Sequence, residues 1–227
     1  MDTPSDKQFS VIIALYNHKQ YLPQLVEALA SQTFKDFEVI FCDDGSNDGT
    51  KEYFKYAGLS FDFKYLRQFH WGMRLAKNVN QGIKSAKGKY CVFIMGDSFP
   101  EKNYLEVLNE WIREDRVLCG VRANIEEKRV VGMDWRLKKQ IIPNIPALLV
   151  REPFNAITGN GLVTPRVEWN EKLKGYGGDD QELAARLYYQ GYLIYSIPTA
   201  ILYHHYHLPQ KGNNARIVNK FIQQYAR

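Results

Sequence analysis

The sequence predicts an α/β protein, a single Rossmann-like domain with a mostly parallel central sheet and helices on both faces. Apolar runs of strand length, at residues 9–15, 37–42 and 90–95, alternate with stretches whose apolar residues recur at helical spacing. Apart from Ser10 and Glu38 those runs are apolar throughout, as strands covered on both faces are. They end in clusters of Asp, Gly, Ser and Asn, the residues that turns select.

Residues 9–15 form the first strand, and 21–31 set Leu22, Leu25, Val26 and Leu29 along one helical stripe. The second strand, 37–42, stops at Asp43, Asp44, Gly45, Ser46, Asn47, Asp48, Gly49 and Thr50, dense turn and N-cap chemistry that leads into another helix. A strand at 61–66, a helix at about 73–86 closed by Gly88, and strands at 90–95 and 117–121 continue the alternation. Residues 123–152 break it with mixed charges, Trp135 and two prolines, and read as an irregular excursion. Order returns at Gly175, Tyr176, Gly177 and Gly178, a turn that delivers Asp179 and Asp180 to a helix at 181–190. Two strands follow, at 193–197 and 200–204.

With 227 residues, 45% of them hydrophobic and 24% charged, the chain can bury one sizeable core, and a single domain over 1–227 is expected. Its apolar runs fall far short of the roughly 20 residues that span a bilayer, so no transmembrane segment is expected. Cys42, Cys91 and Cys119 sit in or beside apolar strands, not in CxxC or Cys/His clusters. They read as reduced core thiols of a cytoplasmic protein. The net charge of +5 is uneven: residues 204–227 hold lysines, arginines and three histidines but no carboxylate. Such a tail suits a solvated face, peripheral contact with an anionic membrane, or nucleic acid, and charge alone does not choose.

Ligands of parallel sheets bind beyond the carboxyl ends of the strands, where Asp43, Asp44 and Asp97 fall. The stretch SVIIALYNHKQYLPQLVEALASQTFKDFEVIFCDDGSNDGT resembles, over its whole length, the nucleotide-binding half of the family-2 glycosyltransferases. GMRLAKNVNQGIKSAKGKYCVFIMGDSFP and GYGGDDQELAARLYYQG are similar to that family's second and third signatures, in the same order. The resemblance, nearest to the lipopolysaccharide and galactosyltransferase-like branch, implies a single GT-A domain. Residues 9–100 would form the nucleotide-binding half and 101–227 the acceptor-binding and catalytic half. It implies an inverting transfer of a sugar from a nucleoside diphosphate, a UDP-sugar above all, to a hydroxyl of a glycan or lipid-linked acceptor, with Mn2+ or Mg2+ as cofactor.

Carried over by position, the resemblance gives the base to Tyr16 and Asp44, with Asp44 accepting a hydrogen bond from a ring N–H. Ala14 would lend backbone groups, standing where relatives usually have proline or threonine. Asp43 either joins the donor site or holds the turn. Arg74 would face the diphosphate, since a guanidinium matches paired phosphate oxygens. Asn160, in Thr158, Gly159, Asn160, Gly161, matches a turn beneath the donor sugar. A core aromatic at Tyr16 and an ordinary turn residue at Asn160 are the structural alternatives.

The metal motif departs from the family pattern. An Asp-x-Asp is expected after the strand at 90–95, and the chain reads Met95, Gly96, Asp97. Asp97 remains as an oxygen ligand for a cation on the diphosphate. A histidine after the last strand would be the second ligand. Neighbours on a strand face opposite ways, so His204 and His205 cannot both face the site; the resemblance favours His204, which follows the strand as the family's histidine does, with His207 next. Histidine ligation favours Mn2+ over Mg2+.

Asp179 and Asp180 match the family's Glu-Asp pair. Asp180 is the expected catalytic base, with Asp179, Tyr176 and Trp135 bordering the acceptor. Acidic residues also cap helix N-termini, but two adjacent aspartates exceed what capping needs. Trp71 is a further sugar-stacking or core aromatic. Two other functions stay open: transfer to a hydroxylated base in DNA, and nucleotide-sugar binding without catalysis, which Met95 motivates. A Rossmann dehydrogenase would need GxGxxG where Ala14, Leu15, Tyr16 and Asn17 stand.

Overall fold

Strands that are apolar on both sides must be covered on both sides, and the chain achieves this with one ten-stranded sheet. The computed structural model describes residues 7–134, 147–150, 157–207 and 214–226. The strands are β1 (Lys7–Leu15), β2 (Phe37–Asp43), β3 (Phe63–Arg67), β4 (Gly88–Met95), β5 (Ser98–Pro100), β6 (Arg116–Glu126), β7 (Arg129–Met133), β8 (Leu148–Leu149), β9 (Leu162–Pro165) and β10 (Leu193–His205). The helices are α1 (Leu22–Ala30), α2 (Thr50–Tyr56), α3 (Leu75–Ser85), α4 (Tyr104–Trp111), α5 (Asp179–Tyr189) and α6 (Ala215–Tyr225). The order across the sheet is β3-β2-β1-β4-β9-β6-β10-β5, with β7 beside β6 and β8 beside β10.

The alternation of side chains along β1 builds two cores at once. Phe9, Val11, Ile13 and Leu15 pack with α1 and α4, while Ile12 and Ala14 pack with α3 and α5. Phe9, Val11, Ile12 and Ile13 have no exposed surface, and full burial of such a side chain contributes about 1.5–3 kcal/mol. The amino end of the sheet also buries a polar knot. Ser10 donates to Glu38, and the N–H groups of Lys87 and Gly88 donate to Glu38 and Ser10.

The sheet is parallel through β3, β2, β1 and β4, as the alternating pattern requires. Beyond β4 it becomes mixed, because the short strand β9 runs antiparallel to both β4 and β6. Two reversals of direction leave β6 and β10 parallel to each other and to β4, so the carboxyl ends of β1, β2, β4 and β10 share one edge. The strands expected at 193–197 and 200–204 are one strand, β10, with a register shift between Ile197 and Ile201. The start of the expected excursion is regular. β6 runs on to Glu126 and turns back as β7 through Glu127 and Lys128, both at positive φ. Trp135 lies outside the described residues.

Gly88 starts β4 where a Cβ would sit 2.3 Å from the backbone nitrogen of Ser10. Gly88→Ala is therefore expected to lower stability by about 1–3 kcal/mol through overpacking. The effect should appear as a lower urea midpoint with an unchanged m-value.

Candidate functional site

Pairing at the edge of the sheet gathers the first cluster. β5 pairs antiparallel with β10, setting Ser98 opposite His204, and the His205 N–H donates to the Asp97 carbonyl at 3.0 Å. Alternation then aims His204 and His205 apart. His204 Nε2 lies 3.5 Å from Asp97 Oδ2, whereas His205 stacks on Tyr21 and contacts Gln24. His207 comes back to the same carboxylate oxygen at 3.4 Å. One ligand atom from each of Asp97, His204 and His207 lies within 4.8 Å of the others.

These residues fit a divalent cation. Asn124 Oδ1 lies 3.0 Å from His204 Nδ1 and, as an acceptor, places the ring hydrogen there. The other nitrogen is left to face Asp97. Two imidazole nitrogens and a carboxylate oxygen stay this close only with a proton or a cation among them. Burial would raise the Asp97 carboxyl, but the imidazoles of His204 and His207 beside it override burial and hold the group well below the usual carboxylate range. Nearby, burial pushes His18 below its ordinary value, against the opposing charges of Asp97 and Asp48.

Asn160 supports this corner. Its Oδ1 accepts from the Met95 N–H at 3.0 Å and its Nδ2 donates to Ser98 Oγ at 2.7 Å, so it grips both sides of Asp97. The Met95 side chain packs against the core on the α3 and α5 side. The Ala14 carbonyl accepts from the Gly96 N–H at 2.9 Å and ties β1 to the same turn.

The second cluster sits at the ends of β1 and β2. Asp43 is fully buried, accepting from the Ser46 N–H and hydroxyl and from Tyr65, with Arg67 3.4 Å away. In this structure its partners all belong to the turn and to β3. Asp44 faces the edge and receives Gln68 Nε2 and His70 Nδ1. Tyr16 is 42% exposed, not a core aromatic, and stacks on His70. Gly45 has φ of +77°, and a Cβ there would lie 2.6 Å from the His70 nitrogen, so only glycine fits. Arg74 caps α3 and folds back onto the Phe69 carbonyl. Trp71 is 80% exposed and belongs to no core.

The third cluster opens α5. Gly175, Gly177 and Gly178 all have positive φ and present Asp179 and Asp180 at the first turn, with Tyr176 half-buried before them. Asp180 Oδ2 accepts from the Gly159 N–H at 3.2 Å. Burial, reinforced by the charges of Asp180 and Glu182, pushes the Asp179 carboxyl up to about 7. The helix α6 braces this turn: Asn214 Nδ2 donates to the Gly177 carbonyl at 2.8 Å, and Val218 fills the space beside Gly178.

All three clusters thus hang on the carboxyl edge of the sheet and the turns beside it. Sequence reasoning missed Gln68, His70, Asn124 and Asn214. For Asn124 a signal existed, since Val121, Ala123 and Ile125 keep the strand alternation beyond the point where the strand was expected to stop. His70 and Gln68 lie in a loop without periodicity.

A Rossmann-like half joined to a mixed sheet that brings an Asp/His cluster and an acidic helix start to one edge defines the GT-A class of fold. The structure of S. aureus TarS residues 1–349 with UDP-GlcNAc shares it, with a TM-score of 0.75 at 20% identity, covering 96% of this chain and 65% of that one. The chain belongs to glycosyl transferase family 2, whose family model matches residues 10–160. Chondroitin synthase of Escherichia coli is 25% identical over 236 residues, 86% of this chain and 34% of that protein. EpsE of Bacillus subtilis (strain 168), named provisionally as a glycosyltransferase, is 30% identical over 212 residues, 87% of this chain and 72% of EpsE. Cholesterol galactosyltransferase of Borreliella burgdorferi is 35% identical over 114 residues, 49% of this chain and 31% of that protein. The chain therefore spans about a third of the chondroitin synthase and of the galactosyltransferase.

The raised Asp179 carboxyl has a consequence for stability. Below about pH 4 both folded and unfolded states hold this proton, and Asp179 carries no penalty. As pH rises towards the folded value of about 7 the unfolded state alone releases it, and stability is lost. Asp179→Asn should therefore gain in Tm relative to the parent between pH 4 and 7, with a constant gap above. A Tm gap that does not change over that range would contradict the raised carboxyl.

Proposed function

We propose that the chain is an inverting, metal-dependent glycosyltransferase that moves a sugar from a UDP-sugar to a hydroxyl of a glycan acceptor. The observation that carries this reading is the convergence of Asp97, His204 and His207 at the sheet edge that also bears Asp44 and the Asp179-Asp180 turn. Family membership supports sugar transfer. The fold shared with TarS, solved with UDP-GlcNAc and with UDP, supports the donor class.

In this reading Asp44 and Tyr16 hold the nucleoside. Asp97, His204 and His207 would hold Mn2+ or Mg2+, which when bound supplies positive charge beside the diphosphate. Asn160 and Asn124 fix the orientation of Asp97 and His204. Asp180, more exposed than its neighbour, accepts the proton of the acceptor hydroxyl as that oxygen attacks the anomeric carbon from the face opposite the leaving diphosphate. Asp179, holding its own proton near neutrality, keeps a second negative charge away from the attacking oxygen. Tyr176 borders the acceptor from the glycine turn.

A thermal-shift screen of UDP-, GDP-, CMP- and dTDP-sugars, with and without Mn2+, should give its largest stabilisation with a UDP-sugar plus Mn2+. Asp180→Asn should keep that shift while the transfer rate falls by about 10²–10⁴. Asp97→Ala should lose the Mn2+-dependent part. Indifference to every donor would sink the reading, and a product with retained anomeric configuration would remove the role given to Asp180.

A further inference from the structure

Asp44 is 7% exposed, and both of its carboxylate oxygens are engaged by the loop between β3 and α3. Gln68 Nε2 donates to Oδ1. His70 Nδ1 lies 3.0 Å from Oδ2 and 3.1 Å from the Asp44 carbonyl oxygen. Both of these are acceptors, so the hydrogen of the imidazole sits on Nδ1 and points into the carboxylate. The same ring lies flat on Tyr16, with 4.2 Å between centroids and 14° between planes. Rings that close are already in contact, and no further ring fits between them.

His70 thus makes the contacts that a pyrimidine base would make at Asp44 and Tyr16: a planar heterocycle stacked on the tyrosine, with a ring N–H given to the aspartate. We propose that His70 is an internal stand-in for the nucleobase, holding the Tyr16–Asp44 slot in the conformation seen here and leaving it when a pyrimidine nucleoside diphosphate binds. The proposal rests on the reading that Asp44 and Tyr16 receive the donor's base.

Expulsion is selective. A uracil ring offers an N–H between two carbonyls and can replace the imidazole on Asp44 Oδ2 one hydrogen bond for one. Cytosine has no hydrogen on that ring nitrogen and can offer only its exocyclic amino group, so it replaces the imidazole less well. His70 therefore sets a threshold that a base must meet, and donor affinity is reduced by the fraction of molecules in which the imidazole holds the slot. The loop that must move carries Phe69 and Trp71, each 80% exposed, and is held by the Gln68 N–H on the Asp43 carbonyl and by Arg74 on the Phe69 carbonyl. Its far end touches the catalytic turn, where the Gly175 N–H donates to the Met73 carbonyl at 3.4 Å. Seating the base is thereby linked to the segment that carries Asp179 and Asp180.

The test is calorimetric titration of the full chain with UDP and with CDP, in Mn2+. His70→Ala should bind UDP about three- to tenfold more tightly than the parent, the factor expected from removing one competing hydrogen bond, and should narrow the preference for UDP over CDP. His70→Phe, which keeps the stack and lacks the N–H, should fall between the two and carries the test if the alanine variant does not fold. UDP should also shift the His70 ring resonances of the parent away from the ring-current position imposed by Tyr16. Weaker or unchanged UDP binding by both variants would overturn the proposal, making the imidazole a support for the base or a bystander. A parent protein that binds no UDP at all would overturn the donor reading and this proposal with it.

Discussion

The site depends on one short antiparallel pairing. Ser98–Pro100 runs against the end of β10, and that pairing brings the segment that leaves β4 into register with β10. Without it Asp97 would end a turn at β4 and His204 would be an edge residue. With it, the His205 N–H bonded to the Asp97 carbonyl fixes which way the histidines of an alternating strand must face. The meeting of Asp97, His204 and His207 at this edge is therefore a product of sheet register, and Asn160 and Asn124 hold the side chains that register has placed.

The same corner accounts for the unorthodox Met95. A side chain there points towards the core shared with α3 and α5, and its backbone N–H is already satisfied by Asn160. An apolar residue costs nothing at such a position. The residues that gather around Asp97 are instead His204, near the end of β10, and His207 just beyond it. Asp43 shows the reverse relation: a residue of ligand type whose four contacts are spent on holding the turn, while its neighbour Asp44 turns to Gln68 and His70.

The parallel half of the fold was legible because β1, β2 and β4 are buried on both faces and leave continuous apolar runs in the sequence. β9 was not, being four residues long among turn residues. β7 was not, since Val130 and Val131 lie more than half exposed and carry no inward alternation. Asp97, His204, Asp179 and Asp180 stood out because they fall at positions that match the family's pattern, not because Asp is unusual at strand ends or helix starts. His70 was illegible for a different reason. Its meaning lies in a carboxylate 26 residues earlier, and no local pattern records a contact of that kind.

The brace supplied by α6 also bears on how the protein is made. Asn214 holds the Gly177 carbonyl, Val218 fills the space beside Gly178, and Tyr225 donates to the buried Glu182 of α5. During synthesis the parallel strands β1 to β4 can pair while the rest is still being translated. The turn bearing Asp179 and Asp180 gains its last supports only after residue 225 has cleared the ribosome. A nascent chain therefore completes the turn at Asp43 and Asp44 well before the one at Asp179 and Asp180.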